Sequence, residues 1–221
     1  YNYNMISTKT FYFNDLRECT YVVWDETGEC VIIDPGCQTE TERERLKKFI
    51  ENNKLKPVKL LNTHGHFDHV MGNAFVANTW GVKSYIHPLD KPQLERAYSY
   101  GEMFGYNIEQ PPVDTIDIED GDEINFGNSC LKVITTPGHT RGGVCFYTEE
   151  DGNKIIFSGD SLFAGSIGRT DLPGGDYDAL MDSLLNKIII LGGDYKVLPG
   201  HGPETTISHE LATNPFLSYE Y

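Results

Sequence analysis

At 221 residues the chain can bury a core without covalent staples and fits one large domain, read here as residues 1–221, or two small ones. With 39% hydrophobic and 12% aromatic residues it is too apolar for disorder, while no apolar run approaches the roughly 18 residues of a membrane span. A formal charge of −15, with Lys47-Lys48 as the longest basic run, argues against nucleic acid and membrane surfaces as partners.

The first β-rich runs are 20–24 (Thr-Tyr-Val-Val-Trp) and 30–34 (Cys-Val-Ile-Ile-Asp), and the turn at 26–28 predicts a hairpin between them. Leu46, Phe49 and Ile50 share one face of a helix over 39–53, capped by Thr39 or Thr41. Pro57 introduces a buried strand at 58–61. A helix over 70–80 closes at Gly81, a strand follows at 82–86, a helix runs from Pro88 to about Tyr100, and 101–112 reads as loop. In the second half, strands are expected at 130–135, 144–148, 154–158 and 195–198, with a helix at 177–191 carrying Leu180, Leu184, Ile188 and Leu191. Helix-separated strands mixed with hairpins predict an α/β layered domain with mixed sheets. In both halves a strand leads closely into a histidine, Leu61 to His64 and Leu198 to His201, which suggests a duplicated plan.

Residues 63–69 read Thr-His-Gly-His-Phe-Asp-His and place His64, His66, Asp68 and His69 between a strand end and a helix start. An extended segment sends His64 and His66 to the same side, and Asp68 and His69 approach from the helix. Three imidazoles and a carboxylate crowded together are costly without a metal to satisfy them. Imidazole and carboxylate suit zinc in four- or five-coordinate sites. His139, Asp160 and His201 each follow a glycine at a strand exit and complete seven candidate ligands, enough for two metal ions with open positions. His87 and His209 lack such settings and read as structural. The five cysteines, odd in number and without a CxxC pair, read as reduced and mostly buried thiols of a cytoplasmic protein. The opening residues show neither the basic nor the apolar stretch of a signal peptide.

The Thr-His-x-His-x-Asp-His motif followed by His, Asp and His resembles the metallo-β-lactamase superfamily, over nearly the whole chain. The stretches 158–163 (Ser-Gly-Asp-Ser-Leu-Phe), 168–173 (Gly-Arg-Thr-Asp-Leu-Pro) and 214–217 (Asn-Pro-Phe-Leu) are most similar to its glyoxalase II-like, short single-domain bacterial hydrolases. The resemblance implies a four-layer αβ/βα sandwich, two mixed β-sheets flanked by helices, with the site at one edge. It implies that His64, His66 and His139 hold one divalent ion, that Asp68, His69 and His201 hold the other, and that Asp160 bridges them. Zinc is the expected metal, with iron or manganese as substitutes. Asp34 matches a position that supports the ligands, against a plain turn aspartate as the other reading.

The resemblance implies hydrolysis of a small acidic acyl thioester by metal-activated water, with Asp68 as a catalytic group and with Arg169, at the position of a substrate-contacting Lys in the glyoxalase II enzymes, binding a substrate carboxylate, against a plain surface arginine as the other reading. A metal pair with net positive charge favours a small anionic substrate. Two tyrosines of the glutathione-cleaving enzymes are replaced here by Asp171 and Pro203, and the sequence stops at Tyr221, before their helical glutathione-binding domain. Glutathione is therefore not expected as the carrier. Alternatives on the same scaffold are an iron persulfide dioxygenase using His64, His139 and Asp160, a lactone or β-lactam hydrolase, and a binding module with a structural metal. Oligomeric state is left open.

Overall fold

The computed structural model describes residues 6–149 and 152–217. Strands β1 (Ser7–Phe13), β2 (Glu18–Trp24), β3 (Glu29–Ile33), β4 (Lys56–Leu61), β5 (Ser84–Ile86) and β6 (Ile116–Asp117) form one mixed sheet in sequential order. Strands β7 (Glu123–Phe126), β8 (Ser129–Thr135), β9 (Val144–Thr148), β10 (Ile155–Gly159), β13 (Lys196–Pro199) and β14 (Thr205–Thr206) form the second, ordered β14-β13-β10-β9-β8-β7. Between β10 and β13 lies a two-stranded ribbon of β11 (Leu162–Phe163) and β12 (Ser166–Ile167).

Period-two alternation decides which side chains enter which layer. From the first sheet, Tyr21, Val23, Val31, Ile33 and Leu61 face Leu131, Val133, Phe146, Phe157 and Leu198 of the second, forming one core shared by both sheets. The intervening Val22, Cys30 and Ile32 turn outward onto Leu46 and Ile50 of α1 (Glu40–Asn52) and Val76 of α3 (Asn73–Trp80). On the far side, Cys145, Ile156 and Val197 pack on Leu180 of α5 (Tyr177–Ser183) and Ile207 of α6 (Ile207–Thr213). Four layers result, helix–sheet–sheet–helix, as the resemblance implied.

The duplicated plan is visible in the topology. β1, β2 and β3 meander antiparallel, then α1 crosses over to β4, parallel to β3. β8, β9 and β10 meander likewise, and the crossover containing α5 leads to β13, parallel to β10. Each half thus ends in a parallel pair whose carboxyl ends open at the same edge.

The 26–28 turn and the Thr39 cap are found as read. Gly28 takes the left-handed conformation, and Thr39 and Glu42 form a reciprocal capping box. The helix expected over 70–80 is broken. A single-turn α2 (Phe67–Val70) is followed by α3, because the Gly72 amide leaves the helix to donate to the Pro35 carbonyl at 2.7 Å. Helix α4 (Lys91–Met103), entered through a 3₁₀ turn at Pro88–Asp90, runs past Tyr100 into the expected loop, where Gly101 accommodates Ile108. Beyond Ser183 the 177–191 helix widens into a π turn (Leu184–Ile188) and tightens into a 3₁₀ turn (Ile189–Leu191). Four-residue spacing drifts around an α-helix, and the wider turn returns Leu184 and Ile188 to the buried row begun by Leu180. Strands β1, β6, β7, β11, β12 and β14 and helix α6 were not expected from sequence. Among the described residues no helix is long and apolar enough to cross a membrane. The four buried cysteines, Cys19, Cys30, Cys37 and Cys145, are free thiols.

Candidate metal centre

All seven predicted ligands converge at the edge where the two parallel pairs open. β4 delivers His64, His66 and the α2 residues Asp68 and His69. The β8–β9 loop delivers His139, β10 delivers Asp160, and β13 delivers His201. Two triads open toward the cleft, His64 with His66 and His139, and Asp68 with His69 and His201, and a third group of Asp34, His64 and His69 lies buried behind them, each with its ligand atoms within 4.8 Å of one another. Asp160 stands between them: Oδ1 lies 3.3 Å from His69 Nε2, and Oδ2 lies 3.5 Å from His139 Nε2 and 3.7 Å from His201 Nε2. His66 Nδ1 is 2.9 Å from His139 Nε2, His69 Nε2 is 3.2 Å from His201 Nε2, and His201 Nε2 is 3.1 Å from Asp68 Oδ2. Ligands about 2.0–2.1 Å from a tetrahedral ion stand roughly 3.3 Å apart, so these separations suit metal coordination.

Two further observations support a metal fit. The buried His64 Nε2 has no hydrogen-bond partner. A Cβ on Gly200 would fall 2.2 Å from Asp160 Oδ1 and 2.7 Å from His69 Cε1, so the ligands close up only because residue 200 is glycine.

The outward ring nitrogens are held from behind. His139 Nδ1 lies 2.8 Å from the Arg169 carbonyl and His201 Nδ1 lies 3.1 Å from the Leu16 carbonyl. A carbonyl only accepts, so we assign the proton to Nδ1 in both rings, leaving Nε2 as the free electron pair. Asp34 fixes a third ring, its Oδ2 accepting from His69 Nδ1 at 3.0 Å. It also accepts from the Thr63 amide at 2.7 Å and from the Thr63 hydroxyl. That hydroxyl, donating to Asp34, is left to accept from His64 Nδ1 at 3.0 Å. One carboxylate therefore aims a ligand of each triad, which settles Asp34 as more than a turn residue. It occupies the left-handed region at φ 47°, a conformation that asparagine also tolerates. Asp34→Asn should keep the backbone but present an N–H to His69, lowering metal affinity about 10–100-fold. Chelator competition on the purified variant measures this.

Burial first, and then neighbouring imidazoles, push the His64 pKa well below its ordinary value, and burial and His139 bring His66 down to about 4. Both are neutral and ready to ligate at pH 7. Burial disfavours the charged forms of Asp160 and Asp68, but the surrounding imidazoles, His69 foremost, outweigh it and hold both carboxyls below the usual range.

Three supporting residues escaped the sequence reading. Glu18 is fully buried, with Oε2 accepting from Thr20 at 2.8 Å and Oε1 3.9 Å from His69 Nδ1, and burial raises its pKa well above normal. Its signal was a charge at the head of an apolar strand. Thr63 joins Asp34 to His64. Asp90, also fully buried, accepts from the amides of Gly65 at 2.8 Å and Gly142 at 2.7 Å and from the Thr140 hydroxyl at 2.9 Å. It ties the loop of His64 and His66 to that of His139, but in sequence it is indistinguishable from a helix-capping aspartate. His87 and His209 lie outside the centre. His87 caps the Pro88–Asp90 turn by accepting from Leu89 N, and the His209 amide donates to the cap Thr206.

A cleft of about 640 Å³ opens onto His66, Asp68, His139, Asp160 and His201. Its walls are largely apolar, with Phe67, Phe104 and Tyr106 on one side and Phe163, Ile167 and Leu172 on the other. Arg169 lines it as expected, but its guanidinium is not free. Nε and Nη2 donate to the two carboxylate oxygens of Asp171 at 2.7 and 2.8 Å, and those bonds hold the Asp171 carboxyl down at about 2.

The family model of the metallo-beta-lactamase superfamily matches residues 17–201. The hydroxyacylglutathione hydrolase GloC of Haemophilus influenzae is 37% identical over 199 residues, covering 89% of this chain and 91% of that protein. Among solved structures, the BLEG-1 B3 metallo-beta-lactamase superposes with a TM-score of 0.86 at 35% identity, covering 96% of this chain and all of that one. TTHA1623 in a di-iron-bound form superposes with a TM-score of 0.84 at 39% identity, covering 95% of this chain and all of that one.

Proposed function

The chain belongs to the metallo-beta-lactamase superfamily of metal-dependent hydrolases, and on that premise we propose that it is a dinuclear thioesterase of the glyoxalase II-like kind. The observation that carries the dinuclear reading is the pair of triads with Asp160 between them. A mononuclear iron dioxygenase site needs only His64, His139 and Asp160, and would leave the built triad of Asp68, His69 and His201 without a role. Zinc is the proposed metal, and the di-iron form of TTHA1623 keeps iron a direct comparison in metal analysis.

Two bound divalent ions would supply Lewis acidity, polarising an acyl carbonyl and bringing the pKa of a water from ~15.7 to roughly 7. The chain supplies the rest. The four pinned imidazoles, His64, His69, His139 and His201, keep their Nε2 pairs aimed inward, so little reorganisation is needed when substrate arrives. Asp68 reaches the cleft wall with its carboxylate ionised and can orient a water or accept its proton. A thioester suits the site because its leaving thiolate is both stable and a good ligand. No serine or cysteine nucleophile is called for, and Cys19, near the centre, is buried with its thiol pushed up to about 12, which leaves it protonated.

The test combines elemental analysis with a panel of a small thioester, a lactone, a β-lactam and a persulfide. The expected result is two transition-metal ions per chain and turnover of the thioester above the other three. One iron per chain with oxygen uptake on the persulfide would replace this reading with the dioxygenase one.

A further inference from the structure

The cleft over the metal centre is long for the reacting group alone, and its chemistry describes the remainder of the substrate. Phe67 is stacked on Phe104, ring centroids 5.6 Å apart and planes 16° from parallel, and Tyr106 leans on the same ring at 5.5 Å. The Phe104 ring is 63% exposed at the rim of this wall, although burial would favour it elsewhere. Of the described residues lining the cleft, Arg169 is the one lysine or arginine. One edge of its planar fork, Nε and Nη2, is engaged by both carboxylate oxygens of Asp171, two residues along an exposed loop. A substrate carboxylate reaching Arg169 would have to displace another carboxylate that is covalently delivered at high local concentration. Such an exchange leaves little net gain in binding. The cleft thus offers aromatic surface, and its one basic side chain away from the candidate ligands is paired with a carboxylate of the chain itself.

We propose that Asp171 sets the substrate class by neutralising Arg169, so that the cleft takes thioesters with an uncharged, apolar and preferably aromatic acyl group. This rests on the thioesterase reading above, and departs from the acidic acyl group expected from sequence. The aromatic wall binds the acyl body through apolar burial and ring stacking, and the metal-facing end presents the carbonyl. Asp171 acts through Arg169 and touches no reacting atom; it is a specificity-determining residue.

The experiment compares phenylacetyl and succinyl thioesters of one neutral thiol, N-acetylcysteamine, on the metal-loaded enzyme. Alongside kcat/KM, calorimetry measures binding of the matching ketones, in which a methylene replaces the sulfur. The wild-type protein should favour phenylacetyl at least about tenfold in both readouts. Asp171→Asn frees the guanidinium and should shift the ratio toward succinyl by about 10–100-fold. Arg169→Ala/Asp171→Ala should keep the wild-type direction, and Phe104→Ala should cut the phenylacetyl preference about three- to tenfold. These side chains are exposed, so the variants retain the fold. A wild-type preference for succinyl, or a ratio unmoved by Asp171→Asn, overturns the proposal. If neither thioester is cleaved, the thioesterase reading fails by itself, and the ketone affinities still decide this one: equal affinities overturn it, and a phenylacetyl preference reversed in Asp171→Asn supports it.

Discussion

Asp160→Ala should lower turnover about 10³-fold or more, while His87→Ala leaves it within a few-fold of wild type. Both residues follow a strand and both sit near the mouth of the site in sequence terms, but their surroundings differ. Asp160 has one oxygen toward His69 and the other toward His139 and His201, so its loss removes the group shared by both triads. Loss of a partner that merely supports a ligand already costs about 10–100-fold, and a bridging position should cost more. Its backbone is separately held by bonds of its neighbours, Gly200 N to the Gly159 carbonyl at 2.7 Å and Gly168 N to the Ser161 carbonyl at 3.2 Å, so the alanine variant keeps the loop path. His87 contributes a turn cap, worth about 1 kcal/mol of stability and nothing to the site. Steady-state kinetics with circular dichroism as a folding control measures both. Equal activities in two folded variants would remove Asp160 from the ligand set.

Stripping the metal should lower the melting temperature by about 8–16 °C. A ligand present at about 1,000 times its Kd stabilises the folded state by about 4 kcal/mol, and for a chain of this size each kcal/mol shifts Tm by about 2–4 °C. The effect is specific here because the unfolded chain cannot assemble ligands that lie as far apart in sequence as His64 and His201. Without metal, the buried Glu18, Asp34 and Asp68, the partly buried Asp160 and five imidazoles share one small volume, which leaves charges and lone pairs poorly compensated. Calorimetry of the chelator-treated and zinc-reloaded protein checks this. A Tm that does not respond to reloading would mean that the cluster is stable by its own hydrogen bonds.

The ligands were legible in the sequence and much of their support was not, for physical reasons. Metal ligands are chemically rare choices placed at strand exits, so His139, Asp160 and His201 announced themselves without any knowledge of pairing. Asp34 could be read only as one of two possibilities, because its partners Thr63 and His69 are brought to it by β3–β4 pairing that no local pattern encodes. Asp90 shows the same limit more sharply. Its three partners lie 25, 50 and 52 residues away. The strands with long alternating or apolar runs were found, and the edge pieces β6 and β14, two residues each, carry too little pattern to see. β1 was overlooked for a different reason: its first four residues, Ser7 to Thr10, are polar, its aromatic end Phe11–Phe13 is short, and pairing with β2 makes it a strand. Arg169 lines the cleft as expected, and the sequence even displayed Asp171 as a departure, but only the structure shows the two in a bidentate pair.

The first sheet's second strand also reaches across to the far sheet. The Cys19 amide donates to the Gly200 carbonyl at 2.7 Å, Tyr21 Oη donates to the Pro199 carbonyl at 2.6 Å, and Glu18 pairs with His201 in an isolated bridge. These contacts join segments some 180 positions apart, nearly the full span of the described chain. Closing so long a loop is entropically expensive and slow relative to hairpin formation. His201 therefore acquires its place only after the amino-terminal hairpin and the carboxyl-terminal crossover have both formed and met. The centre therefore doubles as a seam between the two halves, and a metal held there would tie the first sheet to the second as well as serve the cleft.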